Sequence, residues 1–126
     1  MYSLLKIRKK MRTIVILMVM MLLPSAAFGR GEVERAIVVK VRVDNDGKGY
    51  VAFEQPLGGI PASCTNEAHA SHLAFDVNTE AGKAVMGLAL LAYSTGKPVY
   101  AKGTDTCDTY GSVVEDWHWG YVHEGE

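Results

Sequence analysis

The sequence predicts a small, mainly β domain with one helix, in the order β-β-β-α-β-β. Three observations predict it. Apolar residues alternate over 36–44 and are followed by the turn-forming run Asn45-Asp46-Gly47-Lys48-Gly49; a stretch free of charge from Ala84 to Tyr93 is opened by Asn78-Thr79-Glu80 and stopped by Gly96-Lys97-Pro98; and an aromatic segment closes the chain over 113–123. The 126 residues are 48% apolar and 21% charged, which excludes a disordered polymer and sets one small domain as the ceiling.

The elements follow in order. Ile37, Val39, Val41 and Val43 alternate with Lys40, Arg42 and Asp44, so 36–44 reads as a half-buried strand. Residues that tolerate positive φ then turn the chain into a second strand, Tyr50-Val51-Ala52-Phe53, and the pair is a hairpin. Residues 55–63 hold Pro56, Gly58, Gly59 and Pro61 and read as a loop. His72 to Val77 is a short third strand with Leu73, Phe75 and Val77 on one side. A helix over 80–95 follows, capped by Asn78 or Thr79. Residues 98–102 are strand-like, 103–111 are a polar turn region, and 113–123 form the last strand, with Trp117, Trp119 and Tyr121 pointing one way. This is the element order of a five-stranded OB-like barrel.

The first 29 residues carry five basic residues (Lys6, Arg8, Lys9, Lys10, Arg12) and no acid, then an apolar run over 13–23, Pro24 and small residues. That is the order of a cleaved secretory signal, ending at Ala27 or Gly29, and it places the protein in the periplasm or outside the cell. Eleven apolar residues reach only about 16 Å as a helix, half of a hydrocarbon core, so no stable membrane span is expected. Of the 13 basic residues 13 - 5 = 8 remain against 14 acids, so residues 30–126, read as one domain, carry a net charge of 8 - 14 = -6. An acidic body lacks the footprint needed for nucleic acid. In an oxidising compartment Cys64 and Cys107 are expected to be bridged, closing a loop worth roughly 4 kcal/mol.

The helix carries two bulky stripes, Val85, Leu88 and Leu91 on one side and Met86, Leu90 and Tyr93 on the other. One stripe covers a small barrel, so the second implies another burial partner. The expected interface for self-association is therefore Met86, Leu90 and Tyr93, the alternative being a monomer whose loops cover the second stripe and leave Tyr93 half exposed.

Cys64 within Pro-Ala-Ser-Cys, Leu73-Ala74-Phe75-Asp76, Thr79-Glu80-Ala81-Gly82-Lys83-Ala84, Tyr93-Ser94-Thr95-Gly96-Lys97-Pro98-Val99, Cys107 and Glu115 together resemble a group of small exported proteobacterial proteins. More distantly they are similar to the receptor-binding B subunits of subtilase-cytotoxin and pertussis-like toxins. The resemblance spans about residues 38–122. It implies an OB barrel, a ring of subunits with helices facing the pore, a glycan or glycoprotein receptor, and a catalytic A-type partner.

Catalytic and cofactor patterns are missing. The run from Asp44 has Lys48 at the fifth place of a calcium loop and Gln55 at the twelfth, where carboxylates belong. His69 and His72 lie outside any predicted helix and need not share a face, and zinc would need two more ligands. Glu115 and Asp116 are adjacent, so their carboxylates face opposite sides of a strand. No enzyme, cofactor or metal is expected. Binding has better material: Trp117, Trp119, Tyr121, Tyr110, Asp108 and His118 supply flat apolar faces with polar neighbours. Trp119 and Tyr121, central on their strand, are expected to face inward. Tyr110, Asp108, Trp117 and His118 are the expected ligand contacts. Three classes remain: a ring-forming glycan-binding subunit, a periplasmic protein-binding module such as a hydrolase inhibitor, and a small hydrolase.

Overall fold

The computed structural model describes residues 29–125; the export signal read over 1–29 lies, save for Gly29, outside the described residues. The elements are β1 (Gly31–Ala36), β2 (Val38–Val43), β3 (Lys48–Phe53), β4 (Gly58–Gly59), β5 (His72–Asp76), α1 (Glu80–Thr95), β6 (Val99–Gly103) and β7 (Trp117–Val122). A 3-10 turn at Glu67–His69 precedes β5. The strands make two antiparallel sheets, a four-stranded one in the order β4-β1-β6-β7 and a three-stranded one in the order β2-β3-β5.

The fold is thus mainly β with one helix, but it is not the expected closed barrel of five strands. The first strand begins earlier than its alternation indicates and breaks at Ile37, so that β1 joins one sheet and β2 the other. Gly58–Gly59, inside the segment read as a loop, pairs with Gly31 and Glu32 of β1. Between β5 and the approach to β7 there is a single parallel bridge, Ala74 to Asp116.

The core lies between the sheets and under α1: Val33, Val38, Val51, Phe53, Leu73, Phe75, Val99 and Ala101, closed by Ala89 and Ala92 of the helix. Thr79 caps α1, its Oγ1 accepting from the Gly82 amide at 2.9 Å, and Gly96 ends it with φ 69°. Neither bulky stripe faces the core squarely. Gly82, Ala89 and Ala92 are the buried line, Val85, Met86 and Leu88 flank it half-buried, and Leu90, Leu91 and Tyr93 are exposed at 45, 55 and 57%. Small residues let the helix axis approach the strands, which leaves the bulky side chains to fill the flanks or stand in solvent.

Bulges account for the other departures. Val38 pairs with Phe53 but Lys40 with Ala52, so Val39 is the extra residue and stands 49% exposed. In β7, Lys102 pairs with Trp119 and Gly103 with Trp117, making His118 the extra residue. The strand expected over 113–123 therefore starts only at Trp117, and Trp117 packs against the core while Trp119 and Tyr121 turn out. Gly120 makes room for this, since a Cβ there would sit 2.6 Å from Cζ2 of Trp117.

Two devices join the loops at one end. The Cys64–Cys107 disulfide ties the segment before β5 to the segment after β6. Beside it, the fully buried Glu115 accepts amide hydrogen bonds from Gly31 (2.9 and 3.1 Å), Ala62 (2.7 Å) and Asp105 (3.3 Å). Asp116 points the other way, accepting from the Thr106 hydroxyl and from the amides of Asp108 and Thr109.

Candidate functional site

The outer face of the four-stranded sheet carries an aromatic ladder. Opposed positions on β6 and β7 bring Tyr100 against Tyr121, with ring centroids 5.2 Å apart and planes 14° from parallel. Trp119 completes the group at 4.8 Å from Tyr100 and 6.2 Å from Tyr121, and His123 meets Tyr121 edge-on at 5.0 Å. Trp119 and Tyr121 are each 45% exposed, an unusual placement for two neighbouring large rings on a small domain. Ionic groups frame them: Lys102 lies 3.6 Å from the Glu32 carboxylate. Partial burial, and then the nearby Glu32, hold the Tyr100 hydroxyl protonated beyond the usual tyrosine range.

Trp119 also borders a groove of about 480 Å³ between the first turns of α1 and β7. Its floor is Ala74 and Phe75, its helical wall includes Thr79 and Val85, and its other wall includes Trp117 and His118. The His118 Nδ1 is 3.4 Å from an Arg30 guanidinium nitrogen. The ladder and the groove thus place ring faces beside polar side chains on one open surface. Comparisons with family models, with curated proteins and with solved structures return no match.

The expected contact residues separate into two places. Trp117 and His118 line the groove, whereas Tyr110 sits on the outer face of the three-stranded sheet, edge-on to Tyr50 at 5.2 Å and donating its hydroxyl to Asp44 at 2.7 Å. Asp108 is exposed nearby, where its amide donates to Asp116. Tyr110 therefore fastens its own loop rather than standing free. Met86 is half-buried against the core, while Leu90 and Tyr93 are exposed on α1.

Around Tyr110 the fold assembles a cluster that the sequence did not announce. His72 stacks on the buried Tyr50 at 4.2 Å and 11°, and His69, from the 3-10 turn, meets Tyr50 edge-on at 5.4 Å. The two histidines, which their spacing alone does not place on one face, face each other with their Nδ1 atoms 2.8 Å apart. The Arg42 guanidinium lies 5.8 Å from the Tyr50 ring centre and 5.9 Å from that of Tyr110, and its Nε donates to Asp44 at 2.7 Å. Burial, then the charge of Arg42, lowers the His69 pKa; burial, then His69 and Lys40, lowers that of His72 to about 4. Both rings are neutral at neutral pH. The signal for this cluster was the His-x-x-His spacing, which becomes a shared face because a 3-10 turn delivers one ring and the start of β5 the other.

Proposed function

We propose that this is an exported, non-enzymatic binding protein that takes a glycan on the outer face of its four-stranded sheet. The observation that carries the reading is the aromatic group of half-buried Tyr100 with exposed Trp119 and Tyr121, beside the groove containing Trp117 and His118. Aromatic faces pack on the CH faces of sugar rings, and Glu32, Lys102 and His118 supply hydrogen-bonding partners for hydroxyl groups at the rim. The disulfide supports export, because such bonds persist in oxidising compartments.

The finer fold reading is OB-like. The single residue between β1 and β2, the helix between β5 and β6, and the parallel bridge from Ala74 to Asp116 support that strand order. The resemblance to toxin B subunits extends this to a ring of copies joined through α1, with a catalytic partner docked on the ring. Exposed Leu90, Leu91 and Tyr93, on the charge-free stretch of α1 over 84–95, support association.

Screening the protein against immobilised glycans tests the binding reading. Saccharide binding that falls by about tenfold or more in Trp119→Ala, with Tm unchanged, is the expected result, since exposed tryptophan contacts dominate such energies. Binding that is absent across the glycans, or indifferent to Trp119→Ala and Tyr121→Ala, overturns it; tight capture of a hydrolase instead would move the reading to an inhibitor. Native mass spectrometry tests the assembly. A mass several times that of one chain, reduced to one chain by Leu91→Glu, is expected.

A further inference from the structure

We propose that the free edge of β7 takes an extended segment of a partner polypeptide as an added strand, laid in the groove beside α1 and distinct from the ring faces of Tyr100 and Tyr121. The other strands at the sheet edges are blocked in the ways that natural sheets use against stray pairing. β4 has only two residues. β2 is interrupted by the extra Val39 and carries exposed Lys40 and Arg42. β5 has its outward groups engaged: the Ala74 amide donates to the Glu115 carbonyl at 2.8 Å, and the Asp76 carbonyl accepts from the amide and hydroxyl of Thr79 at 3.1 and 2.7 Å. β7 has none of these protections. It is a six-residue edge, Trp-His-Trp-Gly-Tyr-Val, without lysine, arginine or carboxylate, and such an edge is a template for pairing.

The direction of the edge groups follows from the register. The His123 amide donates to the Pro98 carbonyl at 2.8 Å, one step beyond the pairs Val99 with Val122 and Tyr100 with Tyr121. Bonding alternates along an antiparallel pair, so Tyr121 and Trp119 turn their N–H and C=O groups toward β6, and Gly120 and Val122 turn theirs off the sheet. Gly120 lines the groove of about 480 Å³, which lies where β5 and β7, joined by the Ala74 to Asp116 bridge, part into separate sheets. The carboxylates in that lining are already occupied, Asp76 by the Asn78 side-chain amide at 2.8 Å and Asp116 by the Asp108 and Thr109 amides. Phe75, Val85, Leu88 and Trp117 make the rest of the wall apolar. The fitting occupant therefore supplies donors and acceptors at a two-residue repeat, with an uncharged, apolar group between them. An extended peptide has that composition: its main chain pairs with the edge for affinity, and its alternate side chains enter the groove for specificity. Gly120 brings no side chain, which leaves the space opposite it to the partner.

Peptides selected on the immobilised protein from a random heptapeptide display library, then synthesised for calorimetry and amide exchange, test this. Apolar residues at alternate positions are expected among them. N-methylation of every second peptide amide should weaken binding about tenfold or more in one register and leave it unchanged in the other, because only one set of amides faces β7. Exchange at the Gly120 and Val122 amides should slow in the complex. Ala84→Phe, at an exposed position of the α1 wall, should fill the groove and abolish binding with Tm preserved, and the methylated peptides, which leave the protein unaltered, give a test that does not depend on that variant folding. A library that yields no binding peptide, equal sensitivity to both methylation registers, or unchanged exchange at Gly120 and Val122 overturns the proposal. So does protection of those two amides in the protein alone within a species of more than one chain, which would give the edge to a second copy.

Discussion

Glu115 is the residue whose chemistry is easiest to misread. A fully buried carboxylate has the look of an acid or base, yet both its oxygens are occupied by amides from three separate segments. Gly31 and Gly103 have no side chain for the same reason, since a Cβ on either would run into that carboxylate. Its role is to satisfy backbone donors that burial has removed from water. Glu115→Ala leaves those donors unpaired around a cavity and should destabilise by about 3 kcal/mol or more; Glu115→Gln, which turns an NH2 toward N–H groups, should cost about 1–3 kcal/mol. Urea midpoints measure both, and a fully stable Glu115→Ala would return the carboxylate to the list of reactive groups. His72 gives a second prediction. Its pKa is about 4 when folded against an ordinary 6.5, so between those values the unfolded chain holds more protons. Stability is therefore level above pH 6.5, declines as pH falls through the window, and has lost the whole His72 contribution by about pH 4. Tm measured from pH 8 to pH 4 should trace that decline, with a smaller slope in His72→Phe.

At the scale of elements, two glycines of α1 separate what packing demands from what propensity prefers. A Cβ on Gly82 would overlap the Asp76 carbonyl, so Gly82→Ala must lift the first turn from β5 and should cost about 1–3 kcal/mol. A Cβ on Gly87 meets nothing within 4 Å, and Gly87→Ala should stabilise by about 0.5–1 kcal/mol through helix propensity alone. Thermal melts of the two variants should move in opposite directions. The same helix shows why some elements were legible. Its ends depend on Thr79 and Gly96, whose effects reach only a turn away, and the helix is found over the residues their spacing indicates. Strand faces depend on partners far along the chain. One inserted residue, His118 in β7 or Val39 in β2, reverses which side chains look inward beyond it, and no local pattern marks the insertion. Trp119 and Tyr121 were for this reason expected in the core, where the structure instead holds Trp117. Likewise Gly31–Ala36 has no clean alternation of its own and becomes a strand through pairing with β6 and β4.

Across the whole molecule, the two sheets share one end at which covalent and polar ties converge. Cys64 belongs to the stretch leading into β5, Cys107 to the stretch leaving β6, and Glu115 holds Ala62 and Asp105, two residues from each cysteine, while it also grips the start of β1. The loops here have little apolar surface of their own: Cys64, Asn66, Thr106 and Asp108 are all exposed. Their order thus depends on these ties more than on hydrophobic burial. The bridge closes a loop across a sequence separation of 43 residues, which in the chain-entropy account restricts the unfolded state by about 4 kcal/mol. For a domain of this size that corresponds to a fall in Tm of about 15 °C or more. Cys64→Ser with Cys107→Ser should show that fall by calorimetry. The ladder of Tyr100, Trp119 and Tyr121 lies on paired strands outside the bridged loops, so near-ultraviolet dichroism from those rings should persist below the new transition. The Tyr50, His69, His72 and Tyr110 cluster depends on both bridged loops for His69 and Tyr110, and should loosen first. A reduced protein that loses the two aromatic groups together would mean that the bridge supports the sheets themselves and not only the loops that cross them.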